Sequence, residues 1–421
     1  MQRLREDADA IRNGARDKGE DAALVDHAIE LDARRRRSLG EAAELRAKRK
    51  EVSGRMGAAL KSGDASAEGL RAESIEIGVW IEGLEAELAE IETQLDQVLL
   101  RIPNPADPDV LVGPPESTIT VRDWGEPLAH DAGGWERKPH WEIGERLGMI
   151  DLPAGAKVAG TGFPIYRGAG ARLQRTLINM FLDIHTTEHG MTEIWPPAVV
   201  NQESARGTGQ IPDKEDQMYV VTRDDLYLVP TAEVPVTNIH RDEIIEAARL
   251  PVRYVAYSPC FRREAGAAGK ATRGILRVHQ FDKVEMVAFT RPSDSADTLE
   301  QMTKQAEVVL QRLGLAYRVR LLSTGDMGFT QAKTYDLEVW SPGVQEWLEV
   351  SSVSNFRDFQ ARRMNIRWRP EPGAKPEILH TLNGSGMALP RTVAALMEVY
   401  QQPDGSLALP EPLASMVGPI S

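Results

Sequence analysis

At 421 residues, 42% hydrophobic and 27% charged, the chain has a globular composition and is too long for one ordinary core, so two domains are expected. Its formal net charge of −13 repels nucleic acid as a whole, so any RNA contact must come from a local basic surface. A single cysteine excludes an internal disulfide framework, and no Cys/His clustering suggests structural zinc; the charged N-terminus lacks a signal-peptide core and no apolar run spans a membrane, so a soluble, cytoplasmic protein is expected.

Residues 1–100 contain no proline and are rich in Ala, Glu, Leu and Arg. A short helix is expected over residues 3–16, followed by two long ones at about 22–60 and 66–101. In the second, Ile77, Ile81, Leu84, Leu88, Ile91, Leu95 and Val98 recur four and three apart, a coiled-coil seam. The first has a weaker seam through Ala42, Leu45, Val52, Met56 and Ala59, and Lys61-Ser62-Gly63-Asp64 supplies a turn between them. This pattern predicts an antiparallel helical hairpin reaching roughly 50 Å at 1.5 Å per residue. The first helix is basic, with Arg35, Arg36, Arg46 and Arg49 among its cations, and the second is acidic. Salt bridges between two solvated helices account for part of this pattern; an arm laying cations along a phosphate backbone is the functional reading.

Proline and glycine concentrate over residues 102–116, marking a boundary. The expected organisation is an arm over 1–103, a linker and lead-in over 104–137, and a main domain over 138–421. His140, in Pro-His-Trp-Glu, reads as a packing or capping residue. Residues 168–190 read as a helix, with Leu173, Leu177, Met180, Phe181 and Ile184 at helical spacing, before MTEIWPPAVV. Gly-Thr-Gly at 207–209 is weak evidence for phosphate binding. Thr231 and Glu233 in YLVPTAEVPVTN suit a helix cap ahead of Pro235.

The most informative stretch is YSPCFRREAGAAGKATRGILRVHQFDKVE, residues 257–285. It reads as a strand over 254–264, a glycine-bearing loop over 265–274 with Lys270 and Arg273, and a second strand over 275–286. Cys260, Arg262 and Glu264 share one face of the first strand. Arg277, Phe281 and Glu285 share one face of the second, with Leu276, Val278, Val284 and Met286 on the other. A cation, a ring and an acid side by side suit a charged, planar ligand, since arginine forks match phosphate and carboxylate oxygens. A hairpin with a solvated charged face is the bland alternative. Farther on, Glu349 and Ser352 stand three apart, and TLNGSGMALPRTVAALMEVYQ places a glycine-bearing strand before an amphipathic helix.

FRREAG…TRG…RVHQFDKVE resembles motif 2 of the class II aminoacyl-tRNA synthetases, in the form found in seryl-tRNA synthetases. Helix 168–190 with Pro196 or Pro197 resembles motif 1, and residues 381–401 resemble motif 3. The resemblance covers essentially the whole chain. It implies an α+β fold: an N-terminal antiparallel two-helix coiled-coil arm, then a class II catalytic domain built on an antiparallel β-sheet flanked by helices. It implies ATP-dependent attachment of L-serine to tRNA(Ser) through a seryl-adenylate, with tRNA(Sec) left open as a further acceptor, by a C2 homodimer.

By the family pattern Thr231, Ala232, Glu233, Glu285, Asn383 and Ser385 bind serine. Glu233 meets the ammonium and Glu285 the hydroxyl. Arg262 contacts the α-phosphate and the serine carboxylate, and Arg391 grips the γ-phosphate. Glu264 reads the adenine amino group, Phe281 stacks under the base, and the backbone near Val278 lies beside it. Arg263, Val350 and Ser351 complete the ATP set, and Glu349 and Ser352 match the ligands of Mg2+. The basic side of the arm, with Arg35, Arg36, Arg46 and Arg49, is the candidate tRNA contact. Three positions depart from the pattern: Pro390 stands for a glycine, and Ser323 and Val353 where cysteine is frequent. Two other readings compete: a diverted synthetase copy or adenylating enzyme passing serine to another acceptor, and a non-catalytic tRNA-binding relative. Carrier-type relatives lack the arm, and the presence of Arg262, Glu349 and Arg391 argues against the non-catalytic reading.

Overall fold

The structure, a computed structural model, describes residues 1–264 and 273–421. It divides into two compact units, Met1–Pro105 and Ala106–Ser421.

The first unit is helical. The expected opening helix is two, α1 (Gln2–Glu6) and α2 (Ala8–Asp17), because Asp7 leaves helical geometry at φ −147° and its carboxylate accepts from the Ala10 N–H to start α2. Two long helices follow, α3 (Ala23–Ser62) and α4 (Ser66–Leu100). Between them Gly63 adopts φ 70°, a left-handed turn that a β-carbon would strain, and the Asp64 carboxylate accepts from the Ser66 N–H at 2.8 Å. On α4, Ile77, Ile81, Leu88, Ile91 and Leu95 are buried; opposite them α3 buries Ala42, Val52 and Ala59. The hairpin holds two apolar clusters. One joins Val25, Ala28 and Leu31 of α3 to Ile91 and Leu95 of α4, with Leu4, Ile11 and Ile102; the other gathers Val52, Ala59, Leu70, Ile77 and Ile81.

The second unit is built on one eight-stranded sheet. Its strands are β1 (Ile119–Trp124), β2 (Thr192–Ile194), β3 (Val252–Phe261), β4 (Gln280–Thr290), β5 (Tyr317–Leu321), β6 (Lys333–Ser341), β7 (Glu346–Arg357) and β8 (His380–Ala388). Their order across the sheet is β1-β5-β6-β7-β8-β4-β3-β2, antiparallel except at the β2–β3 edge. The larger core lies where α5 (Ala169–Asp183), α8 (Ser295–Arg312) and α10 (Leu389–Tyr400) cover the sheet. These helices contribute Leu173, Leu177, Phe181, Met302, Val309, Val393 and Leu396. A smaller cluster uses Ala232, Ala256, Val287 and Phe289 with Val236 of α7 (Glu233–Thr237) and Ala361 of α9 (Phe359–Arg363). A third cluster joins Ala205 of α6 (Gln202–Thr208) and Val234 of α7 to Val200, Ile211, Met218, Tyr227 and Val229.

The segment read as linker and lead-in differs from expectation. The second unit starts at Ala106, and β1 pairs with β5 as the sheet's edge. Five of the six β1 residues are exposed, and its apolar alternation, Ile119 and Val121, breaks off at Asp123, too short to mark a strand. The expected hairpin is also shorter. β3 ends at Phe261, and β4 begins only at Gln280. Arg262 adds one more rung, its N–H donating to His279 O, but Glu264 turns to φ 49° and leaves the extended region. Arg277 therefore sits outside the strand. The loop residues 265–272, including Gly266, Gly269 and Lys270, lie outside the described residues; Gly274 is described, at φ 70°.

Two glycines of β8 are set by close approach. A β-carbon at Gly384 would stand 2.8 Å from the Val353 methyls, and one at Gly386 2.7 Å from His185 Nε2. Val353 and Ser323 are both fully buried, as suits small packing residues. His140 is structural, as expected: its Nδ1–H donates to the buried Glu398 carboxylate at 2.9 Å, and Nε2 accepts from the Ile275 N–H at 3.2 Å.

Candidate active site

Three neighbouring strands, β7, β8 and β4, form the floor of a cavity of about 460 Å3. Strand parity selects what faces it. Phe281, Lys283 and Glu285 point into the cavity from β4, while Val284, Met286 and Ala288 go to the larger core. On β8, Asn383 and Ser385 line the cavity, and Ser385 stands directly opposite Glu285 in the ladder. The Ser351 hydroxyl donates to the Ser385 carbonyl at 2.6 Å and ties β7 to β8.

One end of the cavity is acidic and buried. Glu233, at the start of α7, and Glu285 face it together, with the Lys283 ammonium paired to the Glu285 carboxylate. Burial and the neighbouring Glu285 push the Glu233 carboxyl up to about 6, against the pull of Lys283 and of a hydrogen bond from Gln360. The Thr231 hydroxyl accepts from the Glu233 N–H at 3.2 Å, but the N-cap of α7 is Ala232 and no side chain caps the helix; Thr231 lines the same wall.

The other end is cationic and more open. The Arg262 guanidinium lies 5.1 Å from the centre of the Phe281 ring, a cation–π contact. Arg391, in the first turn of α10, donates to the Glu349 carbonyl at 2.8 Å and to Leu276 O at 3.1 Å. Pro390 occupies that first turn, where a missing N–H is not needed by the helix, and Arg391 still reaches the cavity. Glu264 accepts from Arg277 at 2.6 Å on the rim. Glu349, Val350, Ser351 and Ser352 follow along β7. Opposite Ser352 in the β6–β7 ladder stands Asp336, one of whose buried oxygens has no hydrogen-bond partner among the described residues. Burial and the adjacent Glu349 raise its carboxyl well above the usual range.

Comparison with known proteins bears on both units. Residues 1–106 match the model of the seryl-tRNA synthetase N-terminal domain, and residues 219–400 that of the class II tRNA synthetase core domain (G, H, P, S and T). The chain is 50% identical over 418 residues to a serine–tRNA ligase of Gemmatimonas aurantiaca, covering 99% of this chain and 97% of that one. It belongs to the seryl-tRNA synthetase family. Another family member, from Thermomicrobium roseum, is 51% identical over 419 residues, 99% of this chain and 92% of that one. The seryl-tRNA synthetase of Pyrococcus horikoshii complexed with ATP superposes with a TM-score of 0.92 at 37% identity, covering 100% of this chain and 98% of that one. The cytoplasmic serine–tRNA ligase of Naegleria fowleri, in complex with AMP, gives 0.86 at 29% identity, covering 98% of this chain and 95% of that one.

Most residues singled out by the seryl-tRNA synthetase pattern converge on this cavity: Thr231, Glu233, Arg262, Glu264, Val278, Phe281, Glu285, Glu349, Val350, Ser351, Ser352, Asn383, Ser385 and Arg391 all line it. Two do not. Ala232 is fully buried in the smaller core, and the Arg263 side chain turns away to donate to Asp216 O at 3.2 Å. On the arm, Arg35 and Arg46 are engaged with Glu92 and Glu85 at 2.8 and 2.7 Å, whereas Arg36 and Arg49 form no ion pair among the described residues. Among the residues the sequence did not single out are Lys283, which lines the cavity, Gln360, which bonds Glu233 behind its wall, and Asp336, opposite Ser352. Lys283 was legible, since it shares the parity of Phe281 and Glu285. The other two meet their partners only through the fold.

Proposed function

We propose that the chain is a serine–tRNA ligase, activating L-serine with ATP and passing it to tRNA(Ser). The observation that carries this reading is the cavity itself: two arginines at one end and two buried acids at the other, in a chain about 50% identical to serine–tRNA ligases along nearly its whole length. A serine carboxylate oxygen attacks the α-phosphorus of ATP. The bond to the bridging oxygen breaks, pyrophosphate leaves, and a mixed anhydride remains. The 3′-terminal ribose hydroxyl of the tRNA then attacks the acyl carbon and AMP leaves. A carboxylate is already ionised, so the first step needs orientation and charge neutralisation rather than a general base. Accordingly the cavity holds arginines and acids and, among its described residues, no nucleophile–histidine pair.

In this reading Arg262 bridges the serine carboxylate and the α-phosphate, and Arg391 holds the γ-phosphate. Adenine stacks on Phe281, with its amino group at Glu264 and its edge along the backbone of Val278. Val350 and Ser351 contribute to the nucleotide wall, while Arg263 stands outside it, beside Asp216. Glu349 and Ser352 would hold Mg2+. The fit is supported by the hard oxygen donors present and by the orphaned oxygen of Asp336 one strand away, which a divalent cation nearby would satisfy. When bound, Mg2+ supplies positive charge against the phosphates. The serine ammonium lies against Glu233 and its hydroxyl against Glu285, with Thr231, Asn383 and Ser385 closing the pocket and Ala232 packing behind. Alanine leaves the buried Glu285 without its hydroxyl partner and is rejected for that reason. The arm meets the tRNA backbone through its basic helix, where Arg36 and Arg49 form no ion pair among the described residues and Arg35 and Arg46 exchange theirs.

The protein works as a homodimer through the motif 1 edge. Trp195, at the end of the three-residue edge strand β2, is 79% exposed beside Pro196 and Pro197, and such a ring on an open sheet edge is what a second copy covers. Trp195→Arg is expected to halve the mass seen by light scattering and to lower serine activation with it. No helix of the described residues is long and apolar enough to cross a membrane, in keeping with a cytoplasmic enzyme.

The deciding test is charging of bulk tRNA with labelled serine beside serine-dependent ATP–pyrophosphate exchange in one preparation. Both are expected. Exchange without charging would redirect the acyl group to another acceptor, and folded protein lacking both would overturn the reading.

A further inference from the structure

Gln360 lies on α9 and is 1% exposed. Its carboxamide makes three hydrogen bonds, two as donor and one as acceptor. The Thr381 hydroxyl donates to Oε1 at 2.8 Å, while Nε2 donates to the Glu233 carboxylate at 2.7 Å and to the Thr208 carbonyl at 3.3 Å. The amide cannot turn over. A flip would set Oε1 against a carboxylate and a carbonyl, three acceptors with no donor between them. The partners come from three separate parts of the site: the last residue of α6, the threonine of the Gly-Thr-Gly phrase; the start of α7; and β8, two residues before Asn383. Only one oxygen of Glu233 takes the Gln360 bond, so the other is left to the cavity.

We propose that Gln360 is the positioning residue of the amino-acid site: it clamps the Glu233 carboxylate in one orientation, with one oxygen occupied and the other presented to the substrate ammonium, and locks that acid to β8 and to α6. An amide suits the task where a carboxylate does not, because Glu233 already shares its surroundings with Glu285. The inference rests on the reading of Glu233 as the ammonium partner.

Gln360→Met keeps the length and removes both donors. In ATP–pyrophosphate exchange its KM for serine is expected to rise about 10- to 100-fold, the worth of a hydrogen bond to a charged group, while KM for ATP stays at the wild-type value. The pH profile gives a readout that mere loosening would not move. The groups acting on Glu233 are Glu285 and Lys283 of β4, Lys214, and Gln360 itself, whose hydrogen bond lowers the Glu233 pKa. Serine binding needs Glu233 ionised, so it is present above the folded pKa, about 6 in the wild type, and is lost as pH falls through it. Without the Gln360 bond that pKa is higher, and the acid limb of kcat/KM for serine moves to higher pH. Thr381→Val leaves the glutamine in place but frees its carbonyl, and is expected to shift the same two quantities in the same direction by less. If Gln360→Met does not fold, this variant decides by the same criteria. Serine and ATP constants altered equally with an unmoved acid limb, or no change at all, would overturn the proposal. Glu233→Gln is the companion: an unchanged KM for serine there would overturn the ammonium reading instead.

Discussion

Arg262→Ala is expected to lose serine-dependent ATP–pyrophosphate exchange by at least about 10³-fold, on the scale of removing a principal transition-state charge partner. The proposed step places new negative charge on the α-phosphate while a carboxylate approaches it. A guanidinium reaching both is worth more there than in either ground state. Its backbone is held by the last rung of the hairpin, with Arg262 N–H on His279 O, and its side chain rests over Phe281 rather than in a core. Truncation therefore leaves no buried cavity, and the change in folding stability should stay within about 1 kcal/mol. Arg262→Lys restores the charge but not the planar fork and should recover little. Near-wild-type exchange in folded Arg262→Ala would refute the assignment.

Shortening the arm should separate the two half-reactions. Excising residues 43–83 and closing α3 onto α4 with a short glycine–serine turn removes the cluster of Val52, Ala59, Leu70, Ile77 and Ile81 but keeps the one built on Val25, Leu31, Ile91 and Leu95. The cavity contains no arm residue, so exchange should be unaltered. Charging of tRNA(Ser) should fall by roughly 10²-fold or more, since several phosphate contacts leave together. Charging at the wild-type rate at moderate salt would refute the role of the arm. Arg36→Ala with Arg49→Ala in the full chain should weaken charging by less and reduce its salt dependence.

The arm was legible because a coiled-coil seam is written in consecutive turns, and both long helices end within two residues of where the pattern stops. The faces of β4 were equally legible, since Phe281 and Glu285 against Val284 and Met286 need only a period of two. What the sequence hid is long-range. Gln360 is 127 residues from Glu233, and the short helix that carries it offers no periodic pattern. Asp336 reads as one more alternating strand residue until β6 is laid beside β7. The edge strand β1 is nearly all exposed, and proline and glycine just before it made a linker the natural reading. The hairpin's ends shifted for a backbone reason, the positive φ of Glu264, which residue type alone does not announce.

The order β7-β8-β4 turns the sheet into a ruler. Adjacent strands lie about 4.8 Å apart, so the cavity residues Glu349–Ser352 of β7 and Phe281 and Glu285 of β4 are separated by two fixed divisions with β8 between them. Lengthening a surface loop leaves those divisions unchanged. A single residue inserted within β8 does not: it would swing Asn383 and Ser385 out of the cavity and bring neighbouring glycines in. Substitution is thus the open route by which this lineage can retune its amino acid, and insertion or deletion within the three central strands is closed to it.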